Sequence, residues 1–227
     1  MRVTRTSLVL AMLVAVSAVV AAAEPPPPRH LLYLHGRIIQ EQQLARPQSP
    51  KYGYYELEKI LDTFRDRGFV VSGDIRPKSA SVSDAADRVV EQVRRLLASG
   101  VPADHVTVVG ASMGAAIALL AAARLQNPGV RFGILGACLS ESVRAFVAEE
   151  GKTLSGNMLA IREASDDLTE PCPAWTADAA SATAPAPATA LVVREIVLET
   201  GLGHGFLYRP LPEWVNPVVE WANPAVP

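Results

Sequence analysis

The chain has 227 residues, 49% of them hydrophobic and 19% charged, with a formal net charge of −2. Such a composition excludes a disordered, collagenous or cysteine-scaffold protein. Its lysines and arginines are scattered and the balance is mildly acidic, which predicts no nucleic-acid partner and no basic face for anionic lipid.

The N-terminus reads as a targeting signal. Arg2 and Arg5 precede an almost purely apolar run from residue 8 to 20, and Ala21-Ala22-Ala23 offers a small-residue cleavage site. We expect residues 1–23 to be a cleaved signal peptide, 24–29 a proline-rich linker and 30–227 one globular domain, secreted or periplasmic. A membrane contact is expected only if the N-terminal segment is retained. Its apolar stretch, from Ser7 to Ala23, is short for a span of about 20 residues. Cleavage takes the formal charge from −2 to −4, because two arginines and no acids are lost.

Short apolar runs then alternate with helical patterns. His30 to His35 (HLLYLH) is a strand that stops at Gly36, and residues 37–53, with Pro47 and Pro50, read as a loop. Tyr54 to Arg67 has helical spacing, with Leu57, Ile60, Leu61 and Phe64 on one face and Gly68 as its cap. Phe69 opens a strand running toward Ile75. Ser81, Ser83 and Asp84 are candidate caps for a helix over about 84–98, ended by Gly100 and Pro102. His105 to Val109 (HVTVV) is a β-branched strand, followed by GASMG and an alanine-rich helix to about Gln126. Arg131–Leu135, Met158–Arg162 and Leu191–Leu198 are further strands, and a terminal helix over about 212–222 is interrupted by Pro217. Alternation of this kind predicts an α/β fold: one mostly parallel sheet with helices on both faces.

Gly110-x-Ser112-x-Gly114 lies between a strand and a helix, the context of a nucleophile elbow. A serine hydroxyl needs a base to take its proton. His30 and His105 stand at the N-terminal ends of strands, away from the edge where ligands gather in parallel sheets. His204 follows the last strand, and its neighbours Gly203 and Gly205 suit a mobile loop tip. The carboxylate that orients it should follow the preceding strand; Asp166 is favoured, Asp167 comes next and Glu163 third. The oxyanion needs two N–H donors, predicted to be the backbones of Met113, just after the nucleophile, and Arg37, just after Gly36. His35 is expected to buttress that loop. Arg37, Arg46 and Lys51 there suit an anionic substrate or a solvated loop equally. No metal or cofactor is expected.

With HG after an early strand, GASMG at the elbow, SDD after a later strand and GHG after the last, the chain resembles the α/β-hydrolase superfamily over roughly residues 30 to 222. The Ser, Asp, His order is that superfamily's own. The resemblance implies an eight-stranded sheet, here trimmed at its first strands, and no large lid, since the insertion at 139–156 is short. It implies hydrolysis of an ester, thioester or amide of a small molecule through an acyl-serine. Two alternatives are an acyltransferase using the same triad and a non-catalytic binding protein that kept the fold. On this scheme Cys138 and Cys172 fall on adjacent loops at the active-site end, where a disulfide would pin the loop of Asp166.

Overall fold

The computed structural model describes residues 27–137, 145, 154, 156–169 and 191–223. Residues 1–26, on which the expected signal peptide falls, Cys138, Cys172, most of 139–156 and the Ala/Pro/Thr stretch 174–190 lie outside the described residues, and with them the expected disulfide.

Six β-branched or apolar segments build one sheet: β1 (Arg29–Leu34), β4 (Phe69–Ser72), β5 (Val106–Ala111), β6 (Arg131–Leu135), β7 (Gly156–Glu163) and β8 (Leu191–Leu198). Their order is β4-β1-β5-β6-β7-β8, and each neighbouring pair is parallel. Every residue of β5 is buried, as a central strand covered on both faces requires. Alternate side chains divide between two apolar layers. Leu31, Tyr33, Val109, Leu135 and Ile161 face the layer closed by α2 (Leu57–Arg65) and α5 (Pro212–Ala222). Leu32, Val108, Phe132, Ile134 and Met158 face the layer closed by α3 (Val82–Ala98) and α4 (Met113–Leu125).

Local chemistry sets the helix ends. Ser81 caps α3 in a capping box with Asp84, so the helix starts at Val82, two residues earlier than the sequence spacing predicts. In α5, Trp214 is fully buried and packs against Phe64 at 5.9 Å between ring centroids. Pro217 lies inside α5 without ending it. The carbonyl it deprives of a partner is that of Glu213, on the exposed first turn where water can serve.

Three expectations are corrected. Residues 37–53 hold a helix, α1 (Arg37–Gln42), whose Ile39 enters the core, and a hairpin of β2 (Gln48–Ser49) and β3 (Gly53–Tyr54). β4 stops at Ser72 rather than running toward Ile75, because the chain folds back and the Arg76 N–H serves a side chain, not a strand. His105 belongs to a single 3-10 turn, and the strand after it runs from Val106 through Ala111.

Candidate active site

The C-terminal ends of parallel strands share one edge of the sheet. β1 leads to Gly36, β5 to Ser112, β7 to Asp166, and β8 to His204.

Ser112 joins β5 to α4 with φ +53° and ψ −118°, a strained conformation for a non-glycine residue. Its N–H donates to the Leu135 carbonyl at 2.8 Å, and its carbonyl starts α4 by accepting from the Ala115 N–H. The flanking glycines are demanded by contact. A Cβ on Gly110 would lie 2.2 Å from the Gly114 carbonyl oxygen, and one on Gly114 would lie 1.9 Å from that of Leu34. The half-buried serine therefore stands at the N-terminus of α4, where the helix dipole favours negative charge.

His204 lies in the 3-10 turn Gly203–Tyr208 and is buried, not carried on a mobile loop tip as its glycine neighbours suggested. Gly203 takes φ +51°, while a Cβ on Gly205 would meet the Tyr52 ring at 3.0 Å. His204 Nδ1 lies 2.7 Å from Asp166 Oδ2. An ionised carboxylate only accepts, so Nδ1 carries a proton, and in the neutral imidazole Nε2 is then the nitrogen with a free lone pair. Asp166 also accepts from the Leu168 N–H at 3.0 Å, and the Thr169 hydroxyl lies 2.8 Å from its Oδ2. Burial pushes the Asp166 carboxyl up, but the hydrogen bonds from His204, Leu168 and Thr169 outweigh it and hold the carboxyl below its ordinary value. Asp167 points elsewhere: it is two-thirds exposed and pairs with Lys51 at 3.2 Å.

Glu163, ranked third as an acid, does something else. Its Oε2 accepts from the Ser165 N–H and hydroxyl, and its Oε1 from the Gly201 N–H. Buried at the end of β7, it ties the loop of Asp166 to the loop of His204. Desolvation works against its charge, and the hydrogen bonds from Ser165, Gly201 and Thr200 overcome it, leaving the carboxyl below its ordinary value.

Ser112, His204, Gly36 and Arg37 border one open cavity of about 390 Å³, walled by Tyr52, Tyr208 and Leu168 among others. Arg37 and Met113 are the first residues of α1 and α4, so helix geometry leaves the N–H of each without an intrahelical partner. Gly36 sits beside the nucleophile: a Cβ on it would lie 3.6 Å from Ser112 Cβ. Of the three cations that follow the HG motif, Arg46 pairs with Glu56 and Lys51 with Asp167, while Arg37 borders the cavity itself. Among the described residues, no cluster of three or more His, Cys, Asp or Glu side chains could hold a metal ion. Sequence reasoning missed Arg76 and the tyrosine wall. Arg76 reaches the site across 41 residues with no motif around it, Tyr52 lies on the hairpin read as loop, and Tyr208 ends the 3-10 turn that carries His204.

No family model and no curated protein matches the chain. Solved structures do. A protein of unknown function from Agrobacterium tumefaciens, described as a candidate α/β-hydrolase, aligns at 16% identity over 86% of this chain and 87% of its own, with a TM-score of 0.54. A variant of SOBER1 from Arabidopsis thaliana aligns at 15% identity over 85% and 97%, with a TM-score of 0.52. A Xanthomonas campestris protein described as an α/β serine hydrolase without a lid aligns at 14% identity over 90% and 88%, with a TM-score of 0.50. With its parallel sheet and its elbow, this chain has the α/β-hydrolase fold.

Proposed function

We propose that the protein is an exported serine hydrolase that cleaves an ester, thioester or amide of a small molecule through an acyl-serine intermediate. One observation carries the reading: a strained serine and a histidine held in its basic tautomer by a buried aspartate border the same cavity. His204 Nε2 takes the proton of Ser112 as its oxygen attacks the acyl carbon, and returns it to the leaving group. The N–H groups of Arg37 and Met113 receive the negative charge of the tetrahedral intermediate. Water then repeats the sequence and frees the acid. A cavity of about 390 Å³, walled by tyrosines and leucines on one side and by Arg37, Glu41 and Gln42 on another, suits a compact acyl or aryl group.

The test is direct. Wild-type protein should be labelled by a fluorophosphonate probe and should cleave p-nitrophenyl acetate, and Ser112→Ala should do neither. Wild-type protein inert to both reagents would end the proposal. Export is checked by the mass of the protein recovered outside the inner membrane, which should begin at Glu24.

A further inference from the structure

We propose that Arg76 is a positioning residue that aims the Arg37 N–H into the oxyanion site by pinning the two preceding peptide groups through His35. The inference rests on the hydrolase reading above.

Arg76 lies in the segment between β4 and α3 and is 8% exposed. Its backbone N–H donates to His35 Nε2 at 3.0 Å. That ring nitrogen must be unprotonated, so Nδ1 holds the hydrogen and donates it to the Gly36 carbonyl at 2.9 Å. The Arg76 guanidinium meanwhile donates through Nη2 to the His35 carbonyl at 2.6 Å. Both carbonyls of the turn are thus held on the Arg76 side. A trans peptide is planar, with its N–H opposite its C=O. Fixing the Gly36 carbonyl therefore turns the Arg37 N–H the other way, to the wall where Gly36 and Arg37 meet the cavity of Ser112.

The guanidinium is itself oriented. Its Nε donates to Gln40 Oε1 at 3.0 Å, and Gln40 Nε2 donates to the Ala80 carbonyl at 2.8 Å. Among the described residues no carboxylate pairs with Arg76, and its Nη1 is buried without a hydrogen-bond partner. Burial pulls its pKa down to about 10, which still leaves it charged at neutral pH. An unpaired buried cation is a costly way to fill space, and a neutral side chain would pack there more cheaply. The fork geometry explains its presence: one rigid planar group presents Nε to the Gln40 oxygen and Nη2 to the His35 carbonyl in a fixed relation, which a point-like ammonium on a flexible stem does not reproduce.

Arg76→Met and Arg76→Lys keep the backbone N–H to His35 Nε2 but lose the Nη2 bond to the His35 carbonyl, which frees the peptide before Gly36 to rotate and carry the Arg37 N–H with it. The experiment compares both with wild type, using p-nitrophenyl acetate turnover per site titrated by fluorophosphonate. A mispositioned oxyanion donor should lower kcat per titrated site roughly tenfold or more in both variants, with KM within about twofold of wild type. Binding of a trifluoromethyl ketone, whose hemiketal carries the same oxyanion, should weaken by the factor lost from kcat. A merely structural role would reduce the number of titratable sites and leave turnover per site and ketone affinity alone. If the methionine variant fails to fold, the lysine variant, which keeps the charge, decides. Wild-type turnover per site in either folded variant overturns the inference. Wild-type enzyme that neither titrates nor turns over sinks the hydrolase reading instead.

Discussion

Asp166 and Asp167 are adjacent, chemically identical and differently used, and the difference is one of partners. Asp166 is buried against His204 Nδ1, whereas Asp167 reaches outward to Lys51. Asp166→Asn would place an amide where the carboxylate accepts. The amide N–H would donate to Nδ1, force the proton onto Nε2 and leave the base unable to take the Ser112 proton. We expect kcat for p-nitrophenyl acetate to fall roughly 10⁴-fold in Asp166→Asn with fold and KM preserved. Asp167→Asn should change kcat less than about twofold, since it loses only an exposed ion pair. Equal losses in the two variants would show the acid to be misassigned. Sequence order alone favoured Asp166, because it lies nearer the strand end, but it held no sign that Glu163 braces the neighbouring loops. The donors to Glu163 include Gly201, 38 residues away, and no local spacing announces such a bond.

At the level of elements, the elbow was legible because its chemistry is local: strand, tight turn and helix follow one another in sequence. The hairpin of β2 and β3 was not, since two-residue strands leave no periodic trace and Pro47 and Pro50 resemble loop punctuation. Sheet order was hidden for a related reason: β1 pairs with β4 on one side and β5 on the other, and only closure of the whole sheet selects those neighbours. Within the elbow the two glycines do different work from other glycines in the chain. Gly114 is needed because Leu34 of β1 runs against it, whereas Gly100 takes φ +92° and a methyl group there would meet nothing within 4 Å. Gly114→Ala should therefore cost about 3 kcal/mol or more in urea unfolding and abolish turnover, because rigid backbone must separate β1 from α4. Gly100→Ala should cost only about 1 kcal/mol, the strain of a left-handed alanine, and leave kcat unchanged. Similar penalties for the two would mean that the β1–α4 contact is softer than its distances imply.

For the molecule as a whole, the two apolar layers share the same central strands, so neither can dissolve while the other persists, and unfolding should be a single transition. Any proton that folding excludes must then appear in global stability. His35 is fully buried with Nε2 committed as an acceptor, and burial, with the Arg76 charge beside it, lowers its pKa from 6.5 to about 4. Between those values the unfolded chain binds a proton that the folded chain refuses. The stabilisation from a neutral His35 is therefore complete above pH 6.5 and drains away as the pH falls toward 4. Linkage puts the loss between pH 7 and pH 5 at about 2 kcal/mol. The depressed carboxyls of Glu163 and Asp166 act in the same direction but at lower pH, below their ordinary values of 4.5 and 3.8. Urea unfolding of wild type and His35→Asn at pH 7 and pH 5 isolates the histidine, because asparagine can still donate to the Gly36 carbonyl but cannot titrate. Wild type should lose about 2 kcal/mol more than the variant across that interval. Parallel losses in the two proteins would mean that the imidazole is free to protonate in the folded state, and that the Arg76–His35 contact does not hold the turn before Arg37.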